Sequence, residues 1–482
     1  MKDNLPARHW IDREWVSSLP EKSSINPATG DVIGTYCEAD IEVAKKAVQV
    51  AVRTFRTTSW STDAMARAKA LAHLADAFEE RLDELIDSLC LENGKLRPQA
   101  AYEVHHIDRA LRFAAGLAVQ NFGRVADTEP GIQSMAIRTP IGVAGIIVPW
   151  NSPAYLCIRA LAPALAAGCT AVVKMPAQAA QTAALFSEIV GSVAEIPSGA
   201  VNVLIESGSD GARHLVDSPD VPVISFTGST RTGRMIAQAA AVHLKRVGLE
   251  LGGKTPHLIF DDADIDALIP TVARSSTVFA GQFCMTGSRI LAQRGVAAQV
   301  ESALAARLRA VRPGPASDPA SEMGPMIDMV SVARVDKAVE EAIASGSRVI
   351  VRGGPATDPG LTAGAFYHPT LLEVPDSSLP IVQQEIFGPV QTLQIFDTED
   401  EAVALANDTE YGLSACIWSN DVNRPMRIAR RLDAGMISIN SWANLAIEFE
   451  EGGFKASGLG RLGGTASLDD FCEYKQITQT FA

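Results

Sequence analysis

Short apolar runs alternate with helical segments between residues 141 and 260, and this alternation limits the fold more than any other feature of the chain. Apolar runs of four to seven residues, separated by segments with helical spacing, indicate βαβ units. We therefore predict an α/β fold with a parallel sheet covered by helices on both faces. The predicted strands are 142–148, 170–173, 200–204, 221–226, 245–249 and 257–260.

The carboxyl ends of these predicted strands carry unusual residues. Ligands of open parallel sheets bind at this edge, so we expect a site there. The residues at the strand ends are Pro149-Trp150-Asn151, Lys174, Thr227-Gly228-Ser229 and Glu250.

Amphipathic helical stretches precede the strands, and a second alternation follows them. Apolar residues recur at helical spacing over 41–91, where Asn93-Gly94 stops the run, and again over 100–118. From Asp264 onward, helices and strands alternate again, which predicts a second α/β domain. The tail, 471–482, is predicted to be an extended arm that either pairs with another subunit's sheet or forms an ordinary edge strand.

Size and charge favour a small-molecule ligand. A chain of 482 residues exceeds what one hydrophobic core usually supports, so two or three lobes are expected. The net charge of −14 disfavours nucleic acid and anionic membrane surfaces, because both attract basic proteins. The longest apolar stretch, 160–173, contains Pro163, ends at Lys174 and is too short to cross a bilayer.

Cysteine usage indicates a reducing compartment. The seven cysteines are scattered, and none shows the C-x-x-C spacing of a metal site or disulfide framework. The N-terminus, residues 1–6, lacks the apolar run of a signal peptide. We expect a cytoplasmic protein and predict no metal site.

Cys284 differs from the other cysteines because Gly281 and Gly287 flank it. Glycines let the backbone approach a substrate closely, and a carboxylate such as Glu250 can manage protons and water. Together these residues suggest covalent thiol catalysis. Alone, the cysteine could equally be a small buried hydrophobic residue, which is the commoner role.

Six motifs occur in the order found in the NAD(P)-dependent aldehyde dehydrogenases, and the chain resembles the hydrolytic, non-acylating type over essentially its whole length. The resemblance implies a Rossmann-like dinucleotide-binding domain (1–121 and 141–252), an α/β catalytic domain (253–449) and a small β oligomerisation arm (122–140 and 450–482). It also implies a homodimer or homotetramer. The motifs are Pro149-Trp150-Asn151, Phe226-Thr227-Gly228-Ser229-Thr230, Glu250-Leu251-Gly252-Gly253-Lys254, the Cys284 segment, Glu385-Ile386-Phe387-Gly388-Pro389 and Gly452-Gly453-Phe454-Lys455-Ala456-Ser457-Gly458.

The resemblance assigns the chemistry to three residues. Cys284 would add to the aldehyde carbon, because a tetrahedral thiohemiacetal releases hydride more readily than a trigonal carbonyl. The Asn151 amide and the Cys284 backbone N–H would stabilise the oxyanion. Glu250 would activate the water that hydrolyses the thioester and would help to deprotonate the thiol. As alternatives, Asn151 could cap a helix and Glu250 could form a surface salt bridge.

The cofactor site is also implied by the resemblance, because the sequence contains no G-x-G-x-x-G after a strand. Gly228 and Ser229 could receive a pyrophosphate at a helix N-terminus, or form an ordinary strand-to-helix turn. Lys174 resembles the lysine that reaches the adenine ribose. Glu385 resembles the carboxylate that binds the nicotinamide ribose, although it could simply be solvated. The other residues assigned to this site are Phe387, Trp150 and Leu251.

One departure from the family concerns the choice between NAD and NADP. Many NAD-preferring members carry a glutamate three residues after the lysine, where this chain has Ala177. Without that charge, and with Lys174 available to a phosphate, the site should tolerate NADP. The expected cofactor is therefore NAD or NADP.

The predicted substrate tunnel follows the same helix as Asn151. If a helix begins near Ser152, then Asn151, Tyr155 and Arg159 share one face. Tyr155 is predicted to be an aromatic wall, and Arg159 either binds a substrate carboxylate or pairs with a neighbouring acid. Semialdehydes and aromatic or medium-chain aldehydes are both compatible. The other residues assigned to this fairly apolar tunnel are Phe283, Met285 and Trp442.

Two other functions are compatible with these motifs. An acylating dehydrogenase would cleave the thioester with coenzyme A, but relatives resembling methylmalonate-semialdehyde dehydrogenase lack the glutamate found at 250. A catalytically silent structural protein is opposed by the intact Cys284, Asn151 and Glu250. The stretch Phe449-Glu450-Glu451 replaces a Pro-aromatic pair of many relatives, and the sequence assigns it no consequence.

Overall fold

The computed structural model describes residues 5–120 and 122–481. Residues 1–4, which hold most of the N-terminus predicted to lack a signal peptide, lie outside the described residues. Asn121 and Ala482, the last residue of the predicted arm, do so as well. The elements up to Pro140 are β1 (His9–Ile11), β2 (Glu14–Val16), β3 (Glu21–Ile25), β4 (Val32–Cys37), α1 (Ile41–Thr57), α2 (Ala64–Glu80), α3 (Leu82–Asn93), α4 (Arg97–Val119), β5 (Arg124–Glu129) and β6 (Ile132–Pro140).

The predicted helical stretch 41–91 forms three helices, of which the first two begin at aspartate caps and the third follows Arg81 without a side-chain cap. Asp40 accepts a hydrogen bond from the Val43 amide at 2.8 Å and begins α1. Asp63 accepts from the Ala66 amide at 2.9 Å and begins α2. The predicted stop is confirmed, since α3 ends at Asn93 and Gly94 takes a left-handed conformation with φ of 70°.

The middle of the chain alternates strands and helices, as predicted. The predicted strands are confirmed to within a few residues. Most are short, largely apolar runs that the fold buries, whereas β11 (Arg246–Glu250) is only partly buried. The elements of this middle part of the chain are β7 (Val143–Ile147), α5 (Pro153–Ala167), β8 (Thr170–Pro176), α6 (Ala180–Ser192), β9 (Val201–Glu206), α7 (Asp210–Asp217), β10 (Val223–Thr227), α8 (Thr230–Ala240) and β11 (Arg246–Glu250).

The second alternation is also present, and it begins earlier than the predicted Asp264. Its elements are β12 (Pro256–Ile259), α9 (Ile265–Thr277), β13 (Arg289–Gln293), α10 (Arg294–Arg309), α11 (Met329–Ala344), β14 (Arg348–Val351), β15 (Gly354–Pro355), β16 (Tyr367–His368), β17 (Thr370–Glu373), α12 (Pro380–Gln383), β18 (Val390–Phe396), α13 (Glu399–Asn407), β19 (Tyr411–Gly412), β20 (Ser414–Trp418), α14 (Arg424–Ala429), β21 (Met436–Ile439), β22 (Phe454–Lys455), β23 (Gly458–Leu459) and β24 (Cys472–Thr480).

Two large sheets organise these elements. The first has the order β2-β1-β9-β8-β7-β10-β11-β23, and its five central strands are parallel. The second has the order β14-β17-β18-β13-β12-β20-β21. The strand predicted at 257–260 therefore belongs to the second sheet and not to the first, because β12 pairs in parallel with β13 and β20.

The tail pairs with its own chain. β24 runs antiparallel to β6 over nine residues, from Cys472 opposite Pro140 to Thr480 opposite Ile132. With β5 these strands form a three-stranded sheet in which β24 is an edge, and after Cys472 the side chains of β24 are exposed. In the described part of the chain, no helix has the length and apolarity needed to cross a membrane.

Candidate active site

Asn151 lies between β7 and α5, at the carboxyl edge of the first sheet. Its side chain is buried, and Nδ2 donates to the Gln282 carbonyl oxygen at 3.1 Å. Ser152, and not Asn151, takes the N-cap position of α5, so the helix-cap alternative is wrong. The amide is instead turned toward the segment that carries Cys284, and its second N–H can serve a ligand.

The first turn of α5 is held by Glu103, which sequence reasoning missed. Glu103 Oε1 accepts from the Ala154 amide at 2.9 Å and the Tyr155 amide at 3.2 Å. Its other oxygen pairs with Lys95, and both of these side chains are buried. The sequence did contain a signal, since Glu103 lies on the otherwise apolar face of α4. A buried ion pair thus fixes the helix that follows Asn151.

The segment before Cys284 has an unusual backbone. Phe279 and Ala280 have φ of 50° and 53°, a region that costs free energy for residues other than glycine. Gly281 has φ of 71°, and a β-carbon there would lie 2.3 Å from the carbonyl carbon of Gly388. Only glycine fits this position. The fold therefore specifies the approach of the cysteine segment to the chain after Glu385.

A cavity of about 600 Å³ contains the three predicted catalytic residues, Cys284, Glu250 and Asn151, in its wall. The structure thus brings together residues that are up to 133 positions apart in the sequence. Among the described residues, no cluster of three or more His, Cys, Asp or Glu side chains could hold a metal ion. All five residues predicted to line the substrate tunnel also line this cavity: Tyr155, Arg159, Phe283, Met285 and Trp442.

Aromatic side chains form much of the cavity wall beside Cys284. The rings of Phe283 and Trp442 meet edge to face with centroids 5.8 Å apart. Trp442 is fixed, because its Nε1 donates to the Met285 carbonyl oxygen at 2.8 Å. The wall near the thiol is therefore both apolar and rigid.

Burial controls the proton affinities of the thiol and of Glu250. It raises the pKa of Cys284 to about 12, although the Arg159 guanidinium opposes the shift. It also raises the pKa of Glu250 to about 8, with Arg159 lowering and Glu451 raising that pKa. Glu250 is 6% exposed, so the surface salt-bridge alternative is wrong. A carboxyl with this pKa can both accept and return a proton near neutral pH.

Arg159 forms the buried ion pair that was one of its two predicted roles. Its Nη1 donates to Glu451 Oε1 at 2.9 Å, and its Nη2 donates to Thr227 Oγ1 at 3.1 Å. Although burial opposes its charge, Glu451 and Glu250 hold the pKa of Arg159 above its ordinary value. Glu451 comes from the stretch to which the sequence assigned no consequence, and its consequence is to neutralise Arg159 inside the cavity.

The residues predicted to hold the pyrophosphate and adenine ribose lie at the strand ends of the first sheet. Gly228 follows β10, and the Ser229 hydroxyl accepts from the Thr232 amide at 3.3 Å, which caps α8. Lys174 lies near the end of β8, and its ammonium has no hydrogen-bond or ion-pair partner among the described residues. A half-buried cation without a partner in the described part of the chain is a feature of a ligand site.

Glu385 and Phe387, which were predicted at the nicotinamide end, lie just before β18 of the second sheet. A Glu385 oxygen accepts from the Gly253 amide at 3.2 Å, and burial raises the pKa of Glu385 to about 7, so it is not simply solvated. Phe387 has φ of 55°, and its ring meets Trp150 edge to face at 5.5 Å. Leu251 is buried, and its side chain packs against Gly233 on α8.

Comparison with known proteins identifies the family to which this chain belongs. The aldehyde dehydrogenase family model matches residues 15–477. The betaine aldehyde dehydrogenase of Bacillus subtilis is 35% identical over 472 residues, covering 97% of this chain and 96% of the relative. The 2-hydroxymuconic semialdehyde dehydrogenase of Pseudomonas sp. strain CF600 is 35% identical over 483 residues, covering 98% of each.

Solved structures agree with these relatives. A crystal structure of betaine aldehyde dehydrogenase from Staphylococcus aureus in complex with NAD+ superposes with a TM-score of 0.96 at 34% identity, covering 99% of this chain and 95% of that chain. The predicted α/β fold and the predicted resemblance are both confirmed. This chain belongs to the aldehyde dehydrogenase family, a family of NAD(P)-dependent enzymes that oxidise aldehydes.

Proposed function

We propose that the protein oxidises an aldehyde to the carboxylic acid with NAD(P)+ and water, through thiohemiacetal and thioester intermediates on Cys284. The observation that carries this proposal is the shared cavity, in which Cys284, Glu250 and Asn151 line one apolar space. A thiol, a carboxyl with a pKa of about 8 and an amide donor are the three groups that the hydrolytic reaction needs.

The chain's own residues carry the covalent steps. Glu250 accepts the thiol proton, and the Cys284 sulfur forms a bond to the aldehyde carbon while the carbonyl π electrons move to oxygen. Asn151 Nδ2 and the Cys284 amide donate to that oxyanion. When bound, the cofactor supplies the hydride acceptor, and loss of hydride re-forms the C=O bond as a thioester. Glu250 releases the thiol proton to solvent and then removes a proton from water, whose oxygen bonds to the acyl carbon. As the C–S bond breaks, the acid leaves and Glu250 returns this proton to the Cys284 sulfur.

The chain fits a nicotinamide dinucleotide. Lys174 offers an unpartnered ammonium at one end of the candidate site, and Glu385 offers a carboxylate at the other. A β-carbon on Gly252 would lie 2.4 Å from a Glu385 oxygen, so the glycine makes room for that carboxylate. We propose that Gly228, Ser229, Trp150 and Leu251 complete this site, in agreement with the NAD+ bound by the Staphylococcus aureus relative.

The choice of water over coenzyme A is supported by Glu250. Its burial at the cavity wall places a proton acceptor in the same cavity as the thioester that would form on Cys284. The test is product analysis by mass spectrometry, with and without coenzyme A. We expect free acid in both reactions at equal rates. An acyl-CoA product would contradict the proposal and favour the acylating alternative.

The substrate is proposed to be an uncharged aldehyde with an aromatic or medium-length apolar body. Aromatic rings line the cavity beside Cys284, and the charge of Arg159 is already neutralised by Glu451. Arg274 also lines the cavity, where it lies over the Trp442 ring, and it is a cation with which a carboxylate-bearing semialdehyde could pair instead. A panel of aldehydes, followed at 340 nm with NAD+ and NADP+, tests this substrate class. A higher kcat/KM for carboxylate-bearing semialdehydes than for apolar aldehydes of equal length would contradict it.

A homodimer or homotetramer with a cytoplasmic location is proposed as the working form. The solvent-exposed β24 edge supports assembly through the three-stranded sheet, because unpaired strand edges readily add a further strand. A nucleophilic thiol supports a reducing compartment. Light scattering and cell fractionation test these two statements.

A further inference from the structure

The adenine-ribose end of the candidate cofactor site lacks a carboxylate at position 177, but the neighbouring strand supplies one. On paired β8 and β9, Lys174 lies opposite Leu204 and Pro176 lies opposite Glu206. Residues at one level of a parallel pair project to the same face, as do alternate residues along a strand. Lys174 and Glu206 are therefore diagonal neighbours on one face of the sheet.

Glu206 is fixed by the first turn of α7. Its Oε1 accepts from the Gly211 amide at 2.7 Å, and its Oε2 accepts from the Ala212 amide at 3.1 Å. The side chain is only 1% exposed. Amides at a helix N-terminus are the donors that bind phosphate in many nucleotide sites. Here a carboxylate of the chain itself already occupies them.

Glu38 places a second negative charge beside the first. Its carboxylate accepts from the Ser207 amide at 3.1 Å and the Gly208 amide at 2.9 Å, in the loop that follows Glu206. Burial lowers the pKa of Lys174, and both carboxylates oppose that shift. Lys22 Nζ lies 3.4 Å from Glu38 Oε1 and offsets part of the charge of Glu38. Both carboxylates therefore act on Lys174, and the negative charge that a phosphate would meet comes mainly from Glu206.

We propose that Glu206, supported by Glu38, makes the protein prefer NAD+ to NADP+. The inference rests on the proposed use of a nicotinamide dinucleotide. A 2′-phosphate near Lys174 would meet two carboxylates and would find the amides of α7 already occupied, whereas the 2′-hydroxyl of NAD+ brings no charge. The absence of a carboxylate at Ala177 predicts that the site tolerates NADP+. Glu206 on the adjacent strand supplies a negative charge that removes this tolerance.

Isothermal titration of the wild-type protein with NAD+ and NADP+, without aldehyde, tests the preference directly. We expect NAD+ to bind about 10- to 100-fold more tightly, the size of a repulsion between charges several ångströms apart at an effective dielectric constant of about 20. Equal or tighter binding of NADP+ would overturn the inference. A protein that prefers NAD+ as expected but does not oxidise aldehydes would contradict the proposed function and leave this inference intact.

Glu206→Gln removes the charge while keeping an oxygen for the α7 amides. We expect its NADP+ affinity to rise about fivefold or more, with NAD+ affinity within about twofold of wild type. Glu188→Gln, at an exposed site on α6, makes the same change in net charge and should alter neither affinity. Unchanged NADP+ affinity in a Glu206→Gln protein of normal Tm, or an equal gain in the control, would overturn the inference.

A second measurement avoids any dependence on the folding of the variant. Wild-type protein is titrated with 5′-AMP and with adenosine 2′,5′-bisphosphate, which differ by the 2′-phosphate alone. We expect 5′-AMP to bind at least about tenfold more tightly. Equal affinities, or tighter binding of the bisphosphate, would overturn the inference.

Discussion

Arg159 Nη1 lies 2.9 Å from Glu451 Oε1, and this ion pair forms part of the wall of the cavity that contains Cys284. Both side chains are buried. Removing two charges from water is costly, and the attraction between them offsets that cost only when both partners are present. The pair also sets the electrostatic environment of Glu250, since Arg159 lowers its pKa and Glu451 raises it.

Arg159→Leu should destabilise the protein by about 3–5 kcal/mol, because Glu451 is then left buried without its partner. Arg159→Leu combined with Glu451→Leu should recover most of that loss. Denaturant unfolding of the two single variants and the double variant gives the coupling free energy. Additive effects in this cycle would show that the pair is not coupled.

The rate of thioester hydrolysis should rise with pH up to about 8. Glu250 accepts a proton only when it is ionised, and burial raises its pKa to about 8, so activity should fall about tenfold per unit below that pH. A kcat–pH profile measured where deacylation limits turnover checks the direction. A flat profile between pH 6 and 8 would exclude Glu250 as the base.

Glu250→Gln should separate the two halves of the reaction. The variant should form up to one equivalent of reduced cofactor per active site more slowly than wild type, because Glu250 also accepts the thiol proton. It should then stall, since water is no longer activated. Rapid-mixing absorbance at 340 nm measures the burst and the steady rate. Continued turnover at the wild-type rate would remove Glu250 from the mechanism.

Asn151→Ala should lower kcat about 100- to 1000-fold, because one oxyanion donor is lost. Binding of NAD+ by titration should stay within about twofold of wild type and serves as the control, since Asn151 is assigned to the aldehyde side. A loss of cofactor affinity as large as the loss of kcat would indicate a general structural role instead.

Cys284→Ala should abolish aldehyde oxidation, because no other thiol lines the cavity among the described residues. Cys90→Ala, at a half-buried cysteine on α3, is the matched control and should keep wild-type turnover. Full activity of the Cys284 variant in the 340 nm assay would refute the covalent mechanism.

Deleting residues 472–482 should reduce the mass of the assembly measured by light scattering. The deletion removes β24 and leaves the β6 edge without its nine-residue partner. A control that removes Phe481 and Ala482 alone keeps all nine pairs and should keep its mass. An unchanged mass after the longer deletion would place the subunit interface elsewhere.

The strands of the first sheet could be predicted because their signal is local. The continuous apolar run Val143–Ile147 is buried along its whole length, and burial selects that composition. The grouping of Asn151, Glu250 and Cys284 in one cavity could be predicted because each residue belongs to a recognisable motif. The sheet to which 257–260 belongs could not, since pairing depends on the whole topology.

The electrostatic partners could not be predicted, because they are contributed by distant segments. Glu451 meets Arg159 across 292 positions, and Glu103 reaches the first turn of α5 from another helix. Glu206 approaches Lys174 only because β8 and β9 pair in a particular register. Motifs identify the reacting groups, whereas tertiary packing decides which charges surround them.

The close contact of Gly281 with Gly388 has a consequence for how this enzyme can change. The loop that carries Cys284 and the loop that carries Glu385 touch backbone to backbone, so no side chain between them can adjust to a substitution. A substitution that displaces one loop must carry the other with it. If Glu385 binds the dinucleotide as proposed, adaptation to a new aldehyde through this region would also alter cofactor binding. Tyr155 on α5 lines the same cavity and lies outside both loops.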